Sequence, residues 1–393
     1  MLNRLLPMGF ALAGLCAFPA QPGAAAPAGT NQAVIASAVA SPGTLSLSLR
    51  NELSAATDRA LNWLAGQQRP DGSWSDTNYP ALTAMPLWAF ARSAHPRKEA
   101  VTGRAVKFIL SCVQTNGGIY REIAGRKGGG LSNYNTAICM TALHATGDRS
   151  LAPVILSART FLAGAQHTGD DVYDGGFGYD KSTGRAYTDL LNSHWAATAM
   201  RLTSDTEDLR PAGERRAEID WSRVVKFIER QQNSPESGDQ AGGMAYNPTD
   251  PKAGTVTNRE GVVFFRSYGS MTYAGLLSLI YADVSPEDVR VLSAYDWARR
   301  HWSLDENPGM GVEGLYFFYN VMTRALSAMQ RDSVPMQDGT LLNWRAKVAE
   351  KLISLQRHDT QTGQGYWVNE SNRYQENDKV LVTAYVLLAI ESL

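Results

Sequence analysis

One eight-residue stretch constrains this chain more than any other: Gln67-Gln68-Arg69-Pro70-Asp71-Gly72-Ser73-Trp74. Glutamines close a helical pattern, Pro-Asp-Gly makes a turn, and an aromatic residue follows it. Altered copies recur downstream. Gln114 precedes Asn116-Gly117-Gly118-Ile119-Tyr120, and Gln166 precedes Asp174-Gly175-Gly176-Phe177-Gly178-Tyr179. Gln232 precedes Ala241-Gly242-Gly243-Met244-Ala245-Tyr246, and Gln356 precedes Gly363-Gln364-Gly365-Tyr366-Trp367. The first four glutamines stand 46, 52 and 66 residues apart. Between Gln232 and Gln356 a further copy, around Trp297–Trp302, Gly309 and Gly311, has lost its glutamine. Such a period announces a repeated helical unit that buries its apolar face only against its neighbours.

Two kinds of helical segment alternate with these loops. The first kind carries one charged face: Leu53–Gln68, Arg97–Gln114, Leu151–Gln166, Arg216–Gln232, Pro286–Trp302 and Trp344–Gln356. The second is apolar nearly all round and rich in small residues: Pro80–Ala94, Asn133–Ala145, Leu190–Thr203, Ser270–Ala282, Gly314–Met329 and Val380–Leu393. A helix apolar on all sides is buried, and one with a charged stripe faces water. The order is therefore outer helix, Gly-rich loop, inner helix, six times. The expected fold is all-α: an (α/α)6 toroid of six helical hairpins with parallel inner helices. Closing the ring removes the need for polar capping repeats, and none is visible. In each loop the glycine ends the outer helix and the aromatic residue plugs the turn. The glutamine amide can reach helix-end carbonyls and the next loop's backbone.

The remaining bounds come from charge, cysteine and the N-terminus. A net charge of −1 with no basic run argues against a nucleic-acid partner. Beyond Cys16 only Cys112 and Cys139 remain; they read as two buried thiols, with a disulfide between them left open. No Cys/His cluster suggests a metal, and no cofactor motif is present. Arg4 followed by the apolar run Leu5–Phe18 reads as an export signal. The expected organisation is a signal peptide over 1–28, a flexible linker over 29–48 and the toroid over 49–393. A lipoprotein form at Cys16 stays open, although Leu15 interrupts the small residues before it. The expected location is periplasmic or extracellular. No apolar stretch after the leader is long enough to span a bilayer, and peripheral membrane contact stays open.

Taken together, WLAGQQRPDGSW, FIERQQ, KLISLQR and the Gly-Gly-aromatic loops resemble the prenyltransferase and squalene-oxidase repeat, the QW motif of triterpene cyclases. The resemblance spans roughly residues 50 to 393. It implies an α/α toroid with an apolar central cavity entered from the inner-helix N-termini, and an isoprenoid or other apolar small molecule as ligand. The superfamily's usual chemical groups are missing. Class II cyclases carry a DxDD motif before Thr-Ala; the matching stretch, Ser132-Asn133-Tyr134-Asn135-Thr136-Ala137, has none of its acids. Tyr268 and Ser270 stand where protein prenyltransferases place zinc ligands. Cys112-Val113-Gln114 lacks the spacing of a complement-type thioester.

Other polar residues would then line the mouth. Asp189, His194 and Tyr268 are the candidate catalytic residues. An acid held dry beside an aromatic cavity has its pKa raised and can protonate a double bond, and Asp189 opens an inner helix. It is equally placed to be that helix's N-cap. Asn133, Tyr134, Asn135, Arg266, Tyr316 and Asp378 are the candidate substrate-binding residues. Six helix N-termini and Arg266 would favour an anionic group there. Asp205-Thr206-Glu207-Asp208 imitates an acidic motif but follows an inner helix, and reads as a solvated run. Two further functions stay open beside a cyclase-like enzyme: a non-catalytic toroid that binds a lipid or protein, and a carbohydrate-active (α/α)6 glycosidase or lyase. The glycosidase would need two facing carboxylates, drawn from Asp189, Glu376 and Asp305.

Overall fold

The computed structural model describes residues 44–125, 130–181 and 187–393. The signal-peptide expectation lies outside them, as does most of the expected linker. Helix α1 (Leu47–Gln67) begins just inside that linker, capped by the Ser46 hydroxyl. The other outer helices are α3 (Lys98–Leu110), α5 (Ala152–Ala163), α7 (Trp221–Gln231), α9 (Val289–Arg300) and α11 (Trp344–Leu355). Between them run α2 (Ala81–Arg92), α4 (Ser132–Ala145), α6 (Leu190–Leu202), α8 (Gly269–Tyr281), α10 (Leu315–Ala328) and α12 (Lys379–Ile390). Each of this second set packs on the next, and α12 packs on α2, so the inner ring closes. The fold is an α/α toroid.

Composition explains the sorting. In α2, residues from Ala81 to Ala91 are buried without a break, and α12 is buried from Val380 to Ala389. Outer helices bury one stripe, as α7 does with Val224, Phe227, Ile228 and Gln231. Asp220, whose side chain accepts from Arg223 N, starts α7 late, five residues inside the stretch expected to be helical. Cys112 and Cys139 are buried and both free.

The recurring loop ties neighbouring outer helices together. Gln68 Nε2 donates to Gly72 O in its own loop and to Val101 O in the first turn of α3, both at 3.0 Å. Gln166 does the same with Gly175 O and Asp220 O, and Gln232 with Gly242 O and Arg290 O. The glutamine thus reaches the next outer helix, not the next loop. Gln114 is the exception: its amide returns to Cys112 O and Tyr120 O in its own loop. Gln356 closes the series by donating to Ala56 O of α1 at 2.8 Å.

A second strand of the motif fixes each loop to its inner helix. The backbone N–H groups of Trp74, Ile119, Phe177, Met244 and Trp367 donate to hydroxyls of Thr83, Thr136, Ser193, Thr272 and Thr383. Thr272→Val would leave the buried Met244 N–H unpaired. The expected cost is about 1–3 kcal/mol, measurable by urea unfolding.

The acidic run after α6 is only half solvated. Asp205 and Asp208 are exposed, but Glu207 is buried. Arg159 Nε on α5, with no exposed surface, donates to Glu207 Oε1 at 2.7 Å. Arg159 also donates to Met200 O, Thr203 Oγ1 and Ala217 O, and Arg210 Nε donates to Glu207 Oε2 at 2.6 Å. Glu207 is therefore an internal counterion, because α5 carries an arginine facing inward.

Candidate functional site: a tyrosine-lined cavity

A cavity of about 440 Å³ opens where the inner helices begin, within the range of roughly 300–1,000 Å³ typical of ligand pockets. All six inner helices contribute. Leu82 comes from α2, Tyr134 from α4, Leu191 from α6, Met271 from α8, Phe317 from α10 and Tyr385 from α12. Tyr79, Leu131, Tyr187, Tyr268, Gly314 and Glu376 stand in the segments that lead into those helices. Loop residues Tyr179, Tyr246, Lys252, Asn307 and Tyr374 complete the wall. Among the described residues, eight tyrosines face one space, and its charged lining groups are Lys252 and Glu376. Trp195, Phe317 and Tyr385 contact in series as tilted ring pairs, with centroids 6.1 and 5.7 Å apart.

Asp189 is the N-cap of α6 and has no exposed surface. Its Oδ1 accepts from Asn192 N at 2.8 Å and its Oδ2 from Asn192 Nδ2 at 2.7 Å. Burial raises its pKa more than those bonds and the Tyr246 hydroxyl lower it, leaving it at about 6. The carboxyl does not line the cavity itself; it stands behind Tyr246, whose hydroxyl lies near both Asp189 and Tyr179. Both readings of Asp189 thus hold in one residue, a helix cap and a carboxyl one phenol from the cavity.

The other candidates separate. Tyr134 and Tyr268 line the cavity, and the Tyr134 hydroxyl pairs with that of Tyr385. His194 does not line it. Its ring is fully buried between α6 and α8, with Nδ1 3.1 Å from both Ala274 O and Ser278 Oγ. Burial, aided by the Arg324 charge, pushes its pKa down to about 3, so it stays neutral. Asn133 and Asn135 fasten backbone: Asn133 Nδ2 donates to Gly178 O, and Asn135 Oδ1 accepts from Ala81 N. Tyr316 is buried against Tyr319, and Asp378 caps α12 through Val380 N and Leu381 N. Arg266 follows the hairpin of β1 (Thr255–Thr257) and β2 (Val263–Phe265), outside the cavity wall. Lys252 is the cation that faces the cavity, 5.3 Å from the Tyr246 ring and 2.9 Å from Asp250 Oδ2. Asp305 is exposed and pairs with Lys351.

Helix ends change the expected electrostatics. Asn135 caps α2, Asp180 accepts from Ser132 N of α4, and Asn307 accepts from Ser270 N of α8. Glu376 Oε1 accepts from Phe317 N of α10 at 2.8 Å, while Asn369 Nδ2 donates to its Oε2 at 2.7 Å. Four inner helices are therefore capped by the following repeat; α6 and α12 are capped by Asp189 and Asp378. The protein's own carboxylates and two asparagine amides occupy the donors expected to draw an anion. Burial raises the Glu376 pKa as well. Among the described residues no cluster of three metal-ligating side chains occurs.

Sequence reasoning missed Tyr179 and Tyr246 as wall residues, while Glu376, expected near the mouth, does line the wall. The two tyrosines carried a signal: each lies two residues after a buried loop plug, Phe177 or Met244. In extended chain that step returns the side chain to the same side.

The closed ring and its cavity define an α/α toroid, a fold shared with solved terpene cyclases, a protein prenyltransferase and a glycoside-cleaving enzyme. A type II terpene cyclase from Scytonema, solved with geranylgeranyl dihydroxybenzoate, superposes at TM-score 0.53 and 12% identity, over 88% of this chain and 99% of that one. Candida albicans protein geranylgeranyltransferase-I complexed with GGPP gives 0.51 and 12%, over 86% and 90%. An α-1,6-mannanase of Salegentibacter gives 0.55 and 10%, over 86% and 98%. At these identities the likeness is one of fold. In sequence, 122 residues are 32% identical to ent-copalyl diphosphate synthase of Streptomyces sp. (strain KO-3988). That match spans 30% of this chain and 22% of the synthase. No protein-family profile matches the chain.

Proposed function

We propose that this protein is a terpene-cyclase-like enzyme that binds a polyprenyl or triterpene chain in the tyrosine-lined cavity and protonates it. The observation that carries the reading is the buried carboxyl of Asp189 one phenol away from an aromatic, largely apolar cavity. Apolar walls of Leu82, Leu131, Leu191, Met271 and Phe317 suit a hydrocarbon chain, and tyrosine faces stabilise a developing carbocation. Asp189 is the proton source, Tyr246 relays the proton, and Tyr134 and Tyr268 shape the bound chain. With helix ends already capped, an uncharged or phenolic head suits the mouth better than a diphosphate. The six outer and inner pairs make an (α/α)6 ring. Export to the periplasm or beyond is part of the proposal and rests on residues 1–28.

The test is turnover of squalene and of geranylgeranyl-bearing phenols by wild type and Asp189→Asn. Loss of the acid is expected to lower turnover by ~10²-fold or more with little change in KM. Because the protonated carboxyl is required, wild-type activity is full below pH 6 and falls as pH rises through about 6. Absence of product from every such substrate, or equal rates for the two proteins, overturns the reading. A second reading has one observation in its favour: Glu376, a buried carboxyl, lines the cavity, and the buried Asp189 stands behind its wall. Hydrolysis of a mannan oligosaccharide in the same assay would support that carbohydrate-active alternative.

A further inference from the structure

The opposite end of the ring has a cavity of its own, about 450 Å³, where the inner helices finish. Trp88, Leu202 and Leu388 give it apolar walls, and Tyr281 and Ser327 add hydroxyls. Three basic side chains line it. Two have carboxylate partners: Arg92 Nε donates to Glu391 Oε1 at 2.5 Å, and His144 Nε2 lies 2.7 Å from Asp205 Oδ1. The third, Arg324, has none among the described residues. Its Nη2 donates to the Tyr281 hydroxyl at 3.2 Å, and its guanidinium lies 5.1 Å from the centre of the Trp88 ring. Arg324 Nη1 is closed off from solvent and has no hydrogen-bond partner.

A guanidinium offers a planar fork that matches a carboxylate, and Arg324 lines the cavity with no carboxylate partner among the described residues. The C-terminal carbonyls of the ring make Arg324 welcome there but do not bond Nη1. We propose that this cavity is a second ligand site, which takes a small organic acid. The ligand's carboxylate pairs with Arg324 and its hydrocarbon body packs against Trp88 and Leu388. The site is independent of Asp189 and of the tyrosine-lined cavity.

The probe is octanoate against octanol, two ligands of equal chain length that differ in the charged head. Binding is read by calorimetry and by Trp fluorescence. Wild type is expected to bind octanoate at least ~10-fold more tightly than octanol. Arg324→Gln is expected to lose that preference, Arg324→Lys to keep part of it, and Asp189→Asn to keep all of it. Circular dichroism confirms that each variant is folded. If Arg324→Gln does not fold, the wild-type preference and the Arg324→Lys result decide. Equal binding of the two ligands by wild type, no binding of either, or an undiminished preference in a folded Arg324→Gln protein overturns the proposal.

Discussion

Replacing Arg159 by Met is expected to cost about 3–5 kcal/mol of stability, because it strands a buried charge. Glu207 would keep Arg210 but lose the charged donor at its Oε1, and Thr203 Oγ1, Met200 O and Ala217 O would lose donors too. Urea unfolding at pH 7 measures the loss. The same site gives the wild type a pH signature. Burial alone would raise the Glu207 pKa, but hydrogen bonds from Arg210 and Arg159 outweigh it and hold the carboxyl at about 2, against an ordinary 4.5. A group whose folded pKa is depressed stabilises the fold above its unfolded pKa and loses that contribution as pH falls. Wild-type Tm should therefore drop between pH 4.5 and 2, and Glu207→Gln should flatten that slope. A Tm independent of pH over this window would show that the pair contributes nothing.

Gly175→Ala should be at least as damaging, with an expected loss of about 4 kcal/mol or more. Gly175 holds φ at +85°, where a β-carbon is strained. The added carbon would also stand 2.1 Å from Arg223 O on α7. Backbone on both sides leaves nothing flexible to yield. Gly72 and Gly242 meet Arg104 O and Ser293 O at 2.2 Å in the same way, on α3 and α9. Gly213, also at positive φ but with open space around it, is the control, and Gly213→Ala should cost far less. Equal thermal shifts for the two variants would mean that the close approach to the next outer helix does not matter.

These positions explain what could be read from the chain and what could not. The glutamine and glycine of each loop were legible because part of their work is local, at the helix end and in its own turn; their contacts with the next outer helix were not. Burial on all sides marked the inner helices for the same reason, since each carries its apolar residues in its own sequence. Cross-capping was illegible. That Asn307 serves α8 and Glu376 serves α10 depends on how one repeat registers against the next. The choice of cation failed similarly. Arg266 is nearer in sequence to an inner helix, but Lys252, across the β1–β2 hairpin, is the one at the cavity wall. Glu207 was misread because an acidic run looks solvated until an inward arginine is found on another helix.

Ring closure through Gln356 has a consequence for the order of events during synthesis. Its amide bonds Ala56, 300 residues earlier, and α12 packs on α2. The first two helices of the ring therefore wait for the last two. Until then one flank of α2, an almost uninterrupted apolar surface in the finished protein, has no cover. Such a ring gains its last stabilising contacts only once its last helices are made, and the open form is the one most exposed to aggregation. Holdase chaperones, by shielding that flank of α2, would then govern yield more than the stability of the closed ring does.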